Sequence, residues 1–580
     1  MSFPSFKLSA LSLPWMVCIC ALVCLVVFAN SLPNGFVGDD HFLILNNSFY
    51  HSVENIGRLF NNSYLSNSDA ILNRRGVDLG SGSVAYRPVL SLTYFPDYFL
   101  WQKNPFGYHL TNFLLHLFNT LGVLFLVYRL LDSKNSALMA AIIFCIHPLK
   151  NEPVCSMGYR ADSLACFWVL AAFLCYVYRE KGVLFMLAHV FFLLSLFTKE
   201  SAVFFPLMLV AYDVIIKQRA IVWRDAIKKY AGFIAILIFY LYIYFVVFPN
   251  RTLVPAGLEA PSGIYQFAMI LSIFSAYIKS ILLPFTVKIL PPLYRPGTLG
   301  PVYIDFTASF LVISSFCICC WYFIQRDRRT LFFLLWFVLA FLPVSNIVPI
   351  ANPFAYRFMY LPSVGYCVLI AVFLHWLMGK RGWGAGAAIL YIASCLFTTM
   401  VLNMSWRDDR TMAYSMIRSF PDNPKGYYFA GLSEYQDNHV KRGCKFFKES
   451  VDLGAVSPQS HHMLGVCLIN DLDEAKKYFA RNVIEYPFYA PSFTGLGRYY
   501  LFNGKLDEAV VLLEKGAALA PSYQALGYLI QIYLNQGKVD AAQSVLRRGR
   551  EALTDAQQVR SLHNFFDPSK FTAFPVDIGI

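Results

Sequence analysis

The sequence contains little charge. Only 14% of its 580 residues are Asp, Glu, Lys or Arg, whereas 57% are hydrophobic. Soluble globular chains carry roughly 25% charged residues, so this composition excludes an ordinary soluble protein of this length. It indicates instead a protein that crosses a membrane several times.

Paired CxxC motifs and an excess of basic residues in the C-terminal part are both missing. No pair of CxxC motifs occurs among the 14 cysteines, which argues against a structural zinc site. Cys444 and Cys467 lie outside the apolar runs, and either a disulfide or two free thiols fits their spacing. The net charge of +13 lies almost wholly before Trp406, because the remainder carries 20 basic and 19 acidic residues. That excess can face lipid phosphates, and the balanced C-terminal part does not suggest a nucleic-acid surface.

Apolar runs predict about eleven membrane spans in residues 1–405, with a large outer loop over residues 30–106. The predicted spans are Leu11–Ala29, Tyr108–Leu130, Ser136–Ile146, Ala161–Tyr178, Leu184–Phe197, Ala202–Ile216, Tyr230–Phe248, Phe306–Ile324, Leu331–Leu342, Met359–Leu377 and Ala385–Asn403.

The distribution of Lys and Arg predicts the orientation of these spans. The joints that would be cytoplasmic if the N-terminus is cytoplasmic are rich in Lys and Arg, whereas the opposite short loops have fewer. The segment Tyr265–Leu290 contains Lys279 and Pro284, and we interpret it as a helix on the outer surface. Eleven spans then place the C-terminal part opposite the cytoplasm, on the side of Asp39 and Asp40.

Residues 406–580 contain a repeat. Similar helix starts recur at "NDLDEAKKYF", "NGKLDEAVVLL" and "NQGKVDAAQSVL", and the spacings Ala475–Ala509 and Ala509–Ala542 are 34 and 33 residues. A period near 34 residues predicts about four tetratricopeptide repeats. One repeat is shortened between Pro458 and Pro487. Such arrays bind extended peptides, so they imply a protein partner or acceptor.

Polar residues gather on the predicted outer side of the membrane part. Each has an ordinary explanation, such as a helix cap, an ion pair between spans or a lipid-headgroup contact. Together they indicate a functional cavity above the hydrocarbon. Arginine can hold a phosphate leaving group through several donors, and a carboxylate can accept the proton of an attacking hydroxyl. The pattern therefore suits a reaction between a lipid-linked phosphate and a water-soluble acceptor.

Six stretches in this order carry a family resemblance: "FVGDD", "YRP", "GYHLTNFLLH", "HPLKNEPVCSMGYRADSLA", "TKESAVFFP" and "RFMYLPSVGY". Followed by repeats, they resemble the transmembrane, tetratricopeptide-containing protein O-mannosyltransferases. The resemblance implies an all-α fold: a multi-span GT-C glycosyltransferase domain followed by an α-solenoid. It also implies transfer of a sugar, expected to be mannose, from polyprenyl- or dolichyl-phosphate to Ser or Thr of a protein, with inversion.

The resemblance and the chemistry together predict the site residues. The catalytic pair is Asp39 and Asp40, with Asp39 the favoured base. The expected donor-phosphate ligands are Arg87, Arg160, Lys199 and Arg357, and the expected supporting residues are His109, His147, Glu152, Asp162 and Glu200. No metal ligand is predicted, although a carboxylate pair could hold one divalent ion. Tyr356 stands where many relatives have Glu before the arginine.

Two alternatives remain open from the sequence. The chain could be a GT-C enzyme that modifies a glycan or a lipid, or a non-catalytic membrane scaffold with a repeat domain. The expected location is an integral membrane protein of the bacterial cytoplasmic membrane or, in a eukaryote, of the endoplasmic reticulum. The expected partners are the lipid-linked sugar, a protein or peptide acceptor and membrane lipid, without nucleic acid.

Overall fold

The computed structural model is helical in the residues it describes, which confirms the predicted all-α class for those ranges. They are residues 11–60, 86–218, 223–247, 263–290, 313–318, 321–322, 324–350, 352–380, 383–455, 457–469, 471–553 and 556–565. The chain forms two compact units, the first mostly up to Ser419 and the second mostly from Phe420. The boundary predicted after residue 405 lies one short helix earlier.

The first unit holds the apolar helices. In chain order its α-helices are α1 (Leu13–Phe28), α2 (Pro88–Leu92), α3 (Tyr94–Trp101), α4 (Pro105–Leu131), α5 (Lys134–Ile146), α6 (Asn151–Cys155), α7 (Arg160–Val177), α8 (Gly182–Leu196), α9 (Phe205–Ala211), α10 (Trp223–Tyr242), α11 (Ile264–Leu282), α12 (Arg328–Phe341), α13 (Ser363–Lys380), α14 (Gly384–Ser405) and α15 (Asp409–Ser419).

Five helices among the described residues are long and apolar enough to cross a membrane. They are Leu13–Ser31, Pro105–Leu131, Met157–Val177, Arg224–Val247 and Gly384–Ser405, with shorter apolar helices at Lys134–Ile146, Gly182–Leu196, Gln266–Leu282 and Ser363–Gly379. The chain is therefore a membrane protein. The predicted span at 202–216 consists of a 3₁₀ turn, α9 and a π-helical turn. Much of the predicted span at 306–324 lies outside the described residues.

Helix α4 illustrates how the sequence sets an element that positions the site. It begins with Pro105 at its first turn, after Asn104, whose side chain accepts a hydrogen bond from a backbone N–H. Its buried face carries His109, Asn112 and His116 among apolar residues. The Asn112 amide donates to the carbonyl of Ser156 at 3.1 Å in the segment before α7, and the ring nitrogens of His109 and His116 contact backbone carbonyls elsewhere.

The second unit consists of helix pairs. Its helices are α16 (Pro424–Gln436), α17 (Val440–Asp452), α18 (Pro458–Cys467), α19 (Leu472–Glu485), α20 (Ala490–Phe502), α21 (Leu506–Leu519), α22 (Tyr523–Asn535), α23 (Val539–Ala552) and α24 (Ala556–Asn564). Helix α18 spans 10 residues where α16, α20 and α22 span 13, so part of the predicted shortening lies in this helix.

Successive repeats use the same internal bond. The Ser450 hydroxyl donates to the carbonyl of Pro424 at 2.8 Å, and the Asn482 amide donates to the carbonyl of Pro458 at 2.7 Å. Each bond ties the second helix of a pair to the start of the first. A disulfide joins Cys444 of α17 to Cys467 of α18, so the pairing that the sequence left open is present.

Candidate functional site

Asp40 lies in the loop after α1 and is fully buried. Its Oδ1 accepts hydrogen bonds from the backbone N–H of Gly158 at 2.7 Å and from the Ser156 hydroxyl at 3.0 Å. Its Oδ2 accepts from the backbone N–H of Val37 at 3.3 Å. Burial raises the pKa of Asp40 to about 6, and these bonds offset only part of that rise. Asp40 therefore fastens residues 34–41, which we call the acidic loop, to the segment before α7.

Asp39 has a different environment from its neighbour. It is only partly buried, and its Oδ2 accepts a hydrogen bond from the Tyr159 hydroxyl at 3.2 Å. The ring of Tyr159 in turn lies 4.1 Å from Cζ of Arg357. Arg357 pairs with Glu152 at 3.1 Å between Nη1 and Oε2. A continuous set of contacts thus runs from Asp39 to a guanidinium.

Phe358 connects this set to a second cation. Its ring lies 5.2 Å from Cζ of Arg357 and 5.2 Å from Nζ of Lys199. Lys199 is itself 2.5 Å from Oδ1 of Asp162 and almost fully buried. Burial lowers the pKa of Lys199, although the charge of Asp162 opposes that shift. Two of the predicted phosphate ligands therefore share one aromatic neighbour.

Arg87 and Glu200 form a third pair beside Lys199. Nη2 of Arg87 lies 2.8 Å from Oε1 and 3.0 Å from Oε2 of Glu200. Burial raises the pKa of Glu200, but the charges of Arg87 and Lys199 outweigh it and the pKa is lowered. Glu200 is therefore held as a carboxylate, and about one third of its side chain is exposed.

Arg160 occupies a different environment. Its side chain is fully buried, and Nη2 lies 2.6 Å from Oδ2 of Asp97. Nε donates to Asn112 at 2.7 Å and Nη1 to the Thr93 hydroxyl at 3.1 Å. The guanidinium also lies over the Tyr94 ring. These contacts tie α7 to α3 and α4 and occupy the guanidinium of Arg160 with protein partners.

The two predicted supporting histidines are buried on separate elements. Nε2 of His109 lies 3.3 Å from the carbonyl of Gly35 in the acidic loop. His147 ends α5 and accepts from the backbone N–H of Leu149, with Nε2 3.3 Å from the carbonyl of Ile281. Burial and the nearby charge of Lys150 lower the pKa of His147 to about 3, so it is neutral at physiological pH. Only His109 of the two contacts the acidic loop through a described hydrogen bond.

The carboxylate of Asp40 is already hydrogen-bonded by protein donors, because its oxygens accept three bonds from N–H and O–H groups. Within the described ranges, one group of three ligand-type side chains lies close together: Cys24, His116 and Cys145. Both ring nitrogens of His116 are already within 3.0 Å of a protein oxygen. We therefore assign no step to a metal.

Three neighbours of the predicted residues were not singled out from the sequence. Tyr159 links Asp39 to Arg357, and Phe358 links Arg357 to Lys199. Gly158 lies so close to the acidic loop that an added Cβ would be 3.2 Å from Oδ1 of Asp40. Tyr159 and Phe358 are direct chain neighbours of predicted residues and Gly158 lies two positions before Arg160, and that proximity was the available signal.

Comparison with known proteins supports the predicted repeats and the family resemblance of the motifs. A family model described as tetratricopeptide repeat matches residues 500–564. The chain is 23% identical to mouse protein O-mannosyl-transferase TMTC3, covering 91% of this chain and 62% of that protein. It is 32% identical to the fruit fly protein O-mannosyl-transferase Tmtc1 over 188 residues, which is 32% of this chain and 21% of that protein. The resemblance seen in the motifs is confirmed.

The chain spans about three fifths of the length of the mouse relative. Among solved structures, it is similar to ArnT from Cupriavidus metallidurans bound to undecaprenyl phosphate, with a TM-score of 0.37, 11% identity and coverage of 96% of this chain and 89% of that chain. It is also similar to the Archaeoglobus fulgidus oligosaccharyltransferase, with a TM-score of 0.36, 14% identity and coverage of 72% and 58%. TM-scores this low do not by themselves establish a shared fold.

Proposed function

We propose that the chain is a GT-C-type membrane glycosyltransferase. It transfers a sugar, mannose on the strength of its named relatives, from a polyprenyl- or dolichyl-phosphate to Ser or Thr of a protein, with inversion. The observation that carries the proposal is the set of contacts from partly buried Asp39 through Tyr159 to Arg357. These contacts link the carboxylate that we propose as the base to the guanidinium that we propose binds the phosphate.

The reaction assigns a role to each group at this site. The acceptor hydroxyl oxygen attacks C1 of the sugar from the face opposite the phosphate, and the bond between C1 and the phosphate oxygen breaks. The hydroxyl proton passes to the carboxylate of Asp39, which is the more accessible acid. The phosphate leaves on its lipid, and Arg357 neutralises the charge that develops on it.

Arg87 and Lys199 complete the phosphate-binding group in this proposal. Each already faces a carboxylate, Glu200 and Asp162 respectively, so both are held in place before the donor binds. A cation fixed by a partner loses little side-chain freedom when a phosphate approaches. Oε1 of Glu152 is buried and has no hydrogen-bond partner within the described part of the chain, and we assign it to a sugar hydroxyl.

The disulfide supports the proposed location of the second unit. Disulfides persist in oxidising compartments and are rare in the cytosol, so the Cys444–Cys467 bond favours a periplasmic or lumenal position for the repeats. In this arrangement the repeats and Asp39 face the same compartment. The repeats would bind a segment of the acceptor protein in that compartment.

Reconstitution with defined donors tests the proposed function. The purified full-length chain is supplied with polyprenyl-phosphate mannose, polyprenyl-phosphate glucose or GDP-mannose, together with a Ser/Thr-rich protein. We expect transfer from the mannosyl lipid and none from the nucleotide sugar. Arg357→Gln should raise the KM for the lipid donor by about tenfold or more, the loss of a charge-assisted contact. Absence of transfer from every lipid-linked sugar would refute the proposal.

A further inference from the structure

The loop that carries Asp39 and Asp40 is bonded to the end of the last apolar helix and the start of α15. The Asn34 side chain donates to the carbonyl of Asn403 at 3.0 Å. The backbone N–H of Gly35 donates to the carbonyl of Arg407 at 2.9 Å. These residues lie 369 or more positions apart in the chain, so the fold rather than local sequence joins them.

Asp409 makes the most direct of these contacts. Its Oδ1 accepts from the backbone N–H of Gly38 at 2.8 Å, and its Oδ2 lies 2.7 Å from Nε2 of His41. Gly38 and His41 are the residues immediately before and after the Asp39–Asp40 pair. One carboxylate therefore holds the acidic pair at both ends.

We infer that Asp409 is a positioning residue that fixes Asp39 for proton transfer. This inference rests on the proposed function. Asp409 itself does not touch the proposed base, and it acts through the backbone on either side.

The local backbone explains why such a clamp matters. Gly38 has φ +58°, a conformation that leaves the loop dependent on contacts rather than on intrinsic preference. Asp40 is anchored to the segment before α7, whereas the Asp39 side chain has a single described hydrogen bond, from Tyr159. Small displacements of a reacting group lower rates steeply, by about a hundredfold for 1 Å. Loss of the clamp should therefore affect Asp39 first.

Three variants of the full chain test the inference. Asp409→Ala removes both bonds, whereas Asp409→Asn can still accept from Gly38 and donate to neutral His41. Asp408→Asn is the matched control, because it makes the same charge change one residue away. Asp408 accepts from the backbone N–H of Thr411, and Asn fills that capping role equally well.

The expected result is a separation of kcat from KM. Asp409→Ala should lower kcat by about tenfold or more and leave the KM for polyprenyl-phosphate mannose within about twofold, because the phosphate-binding cations are untouched. Asp409→Asn should recover most of the loss, and Asp408→Asn should match the wild type. In an Asp39→Asn background, Asp409→Ala should cause little additional loss, since the two act through one step. Wild-type kcat in Asp409→Ala would overturn the inference.

A second measurement keeps the clamp separate from the chemistry. Hydrogen exchange of the peptide covering residues 36–45 should accelerate in Asp409→Ala and not in Asp408→Asn. If the wild type transfers no sugar, the proposed function fails, and unchanged exchange in Asp409→Ala would independently refute the clamp. If Asp409→Ala does not fold, His41→Phe, which keeps the Gly38 bond, is judged by the same criteria: an unchanged kcat there overturns the inference.

Discussion

At the residue scale, the two neighbouring aspartates are divided by burial. Asp40 is buried and accepts three hydrogen bonds, whereas Asp39 is partly accessible and accepts a hydrogen bond from Tyr159. Placing two carboxylates close together costs energy unless their environments differ. The structure meets that requirement by using Asp40 to anchor the loop, which leaves Asp39 for chemistry in the proposed mechanism.

Gly158 is expected to tolerate no side chain. A Cβ there would lie 2.9 Å from Cδ1 of Leu43 and 3.2 Å from Oδ1 of Asp40. Gly158→Ala should destabilise the chain by about 1–3 kcal/mol, typical of overpacking, and lower transfer by displacing the acidic loop. Thermal unfolding and transfer rates measure both effects. Gly182→Ala is the control, because no atom of the described residues lies within 4 Å of its added Cβ; equal behaviour of the two variants would contradict this account.

Asp40 gives a pH dependence of known sign. Its pKa rises from 3.8 to about 6 through burial, so its contribution to stability is present below pH 3.8 and is lost as the pH rises through 6. The melting temperature of Asp40→Asn relative to the wild type should therefore increase between pH 4 and pH 7. A difference for Asp40→Asn that falls with pH would contradict the assignment.

At the element scale, the site depends on the irregular segment between α5 and α7. Its short helices place Ser156 and Gly158 against Asp40 and point Tyr159 toward Asp39. The motif around His147, Glu152, Arg160 and Asp162 was visible in the sequence. The sequence did not show which side chains of this motif face Asp39 and Asp40 and which face other partners. Hydropathy records whether a segment is apolar and not which donors turn inward. For that reason the pairing of Arg160 with Asp97 could not be predicted from the motif.

The second unit allows an independent test of its disulfide. Replacing Cys444 and Cys467 together with Ser should lower the stability of the repeats by about 2–4 kcal/mol, and reductant should destabilise the wild type but not the double variant. Differential scanning fluorimetry of the full chain, with and without reductant, measures this. Membranes are prepared without reductant and with a thiol-alkylating reagent present from lysis onward. Alkylation of both Cys444 and Cys467 would show that the bond is absent in the cell.

At the scale of the whole molecule, the sequence predicted the all-helical class and the repeats because both follow from periodicity and composition. The sequence did not predict contacts between residues that lie far apart in the chain. The pairing of Asp409 with Gly38 and His41 joins residues separated by 371 and 368 positions, and nothing in either segment alone points to the other. The ion partners of Arg87 and Arg357 are likewise set by the fold.

The proposed orientation predicts that Asp39 and the repeats face the same compartment. Single cysteines introduced at the exposed positions Glu54 and Lys538 of an otherwise cysteine-free chain should react with a membrane-impermeant maleimide from the same side. A third cysteine at Lys181, in a predicted cytoplasmic joint, should react only after permeabilisation. Labelling of the first two positions from opposite sides would be incompatible with repeats that present an acceptor to Asp39.

The most direct measurement is single-turnover transfer from polyprenyl-phosphate mannose to a Ser/Thr acceptor by Asp39→Asn and Asp132→Asn. The control position is exposed and has φ +51°, which Asn adopts readily, so it should leave the protein unchanged. We expect Asp39→Asn to bind the lipid donor with wild-type affinity and to lose at least about a hundredfold in the rate of transfer, the scale of a general base. Transfer by Asp39→Asn at the wild-type rate would contradict the central claim.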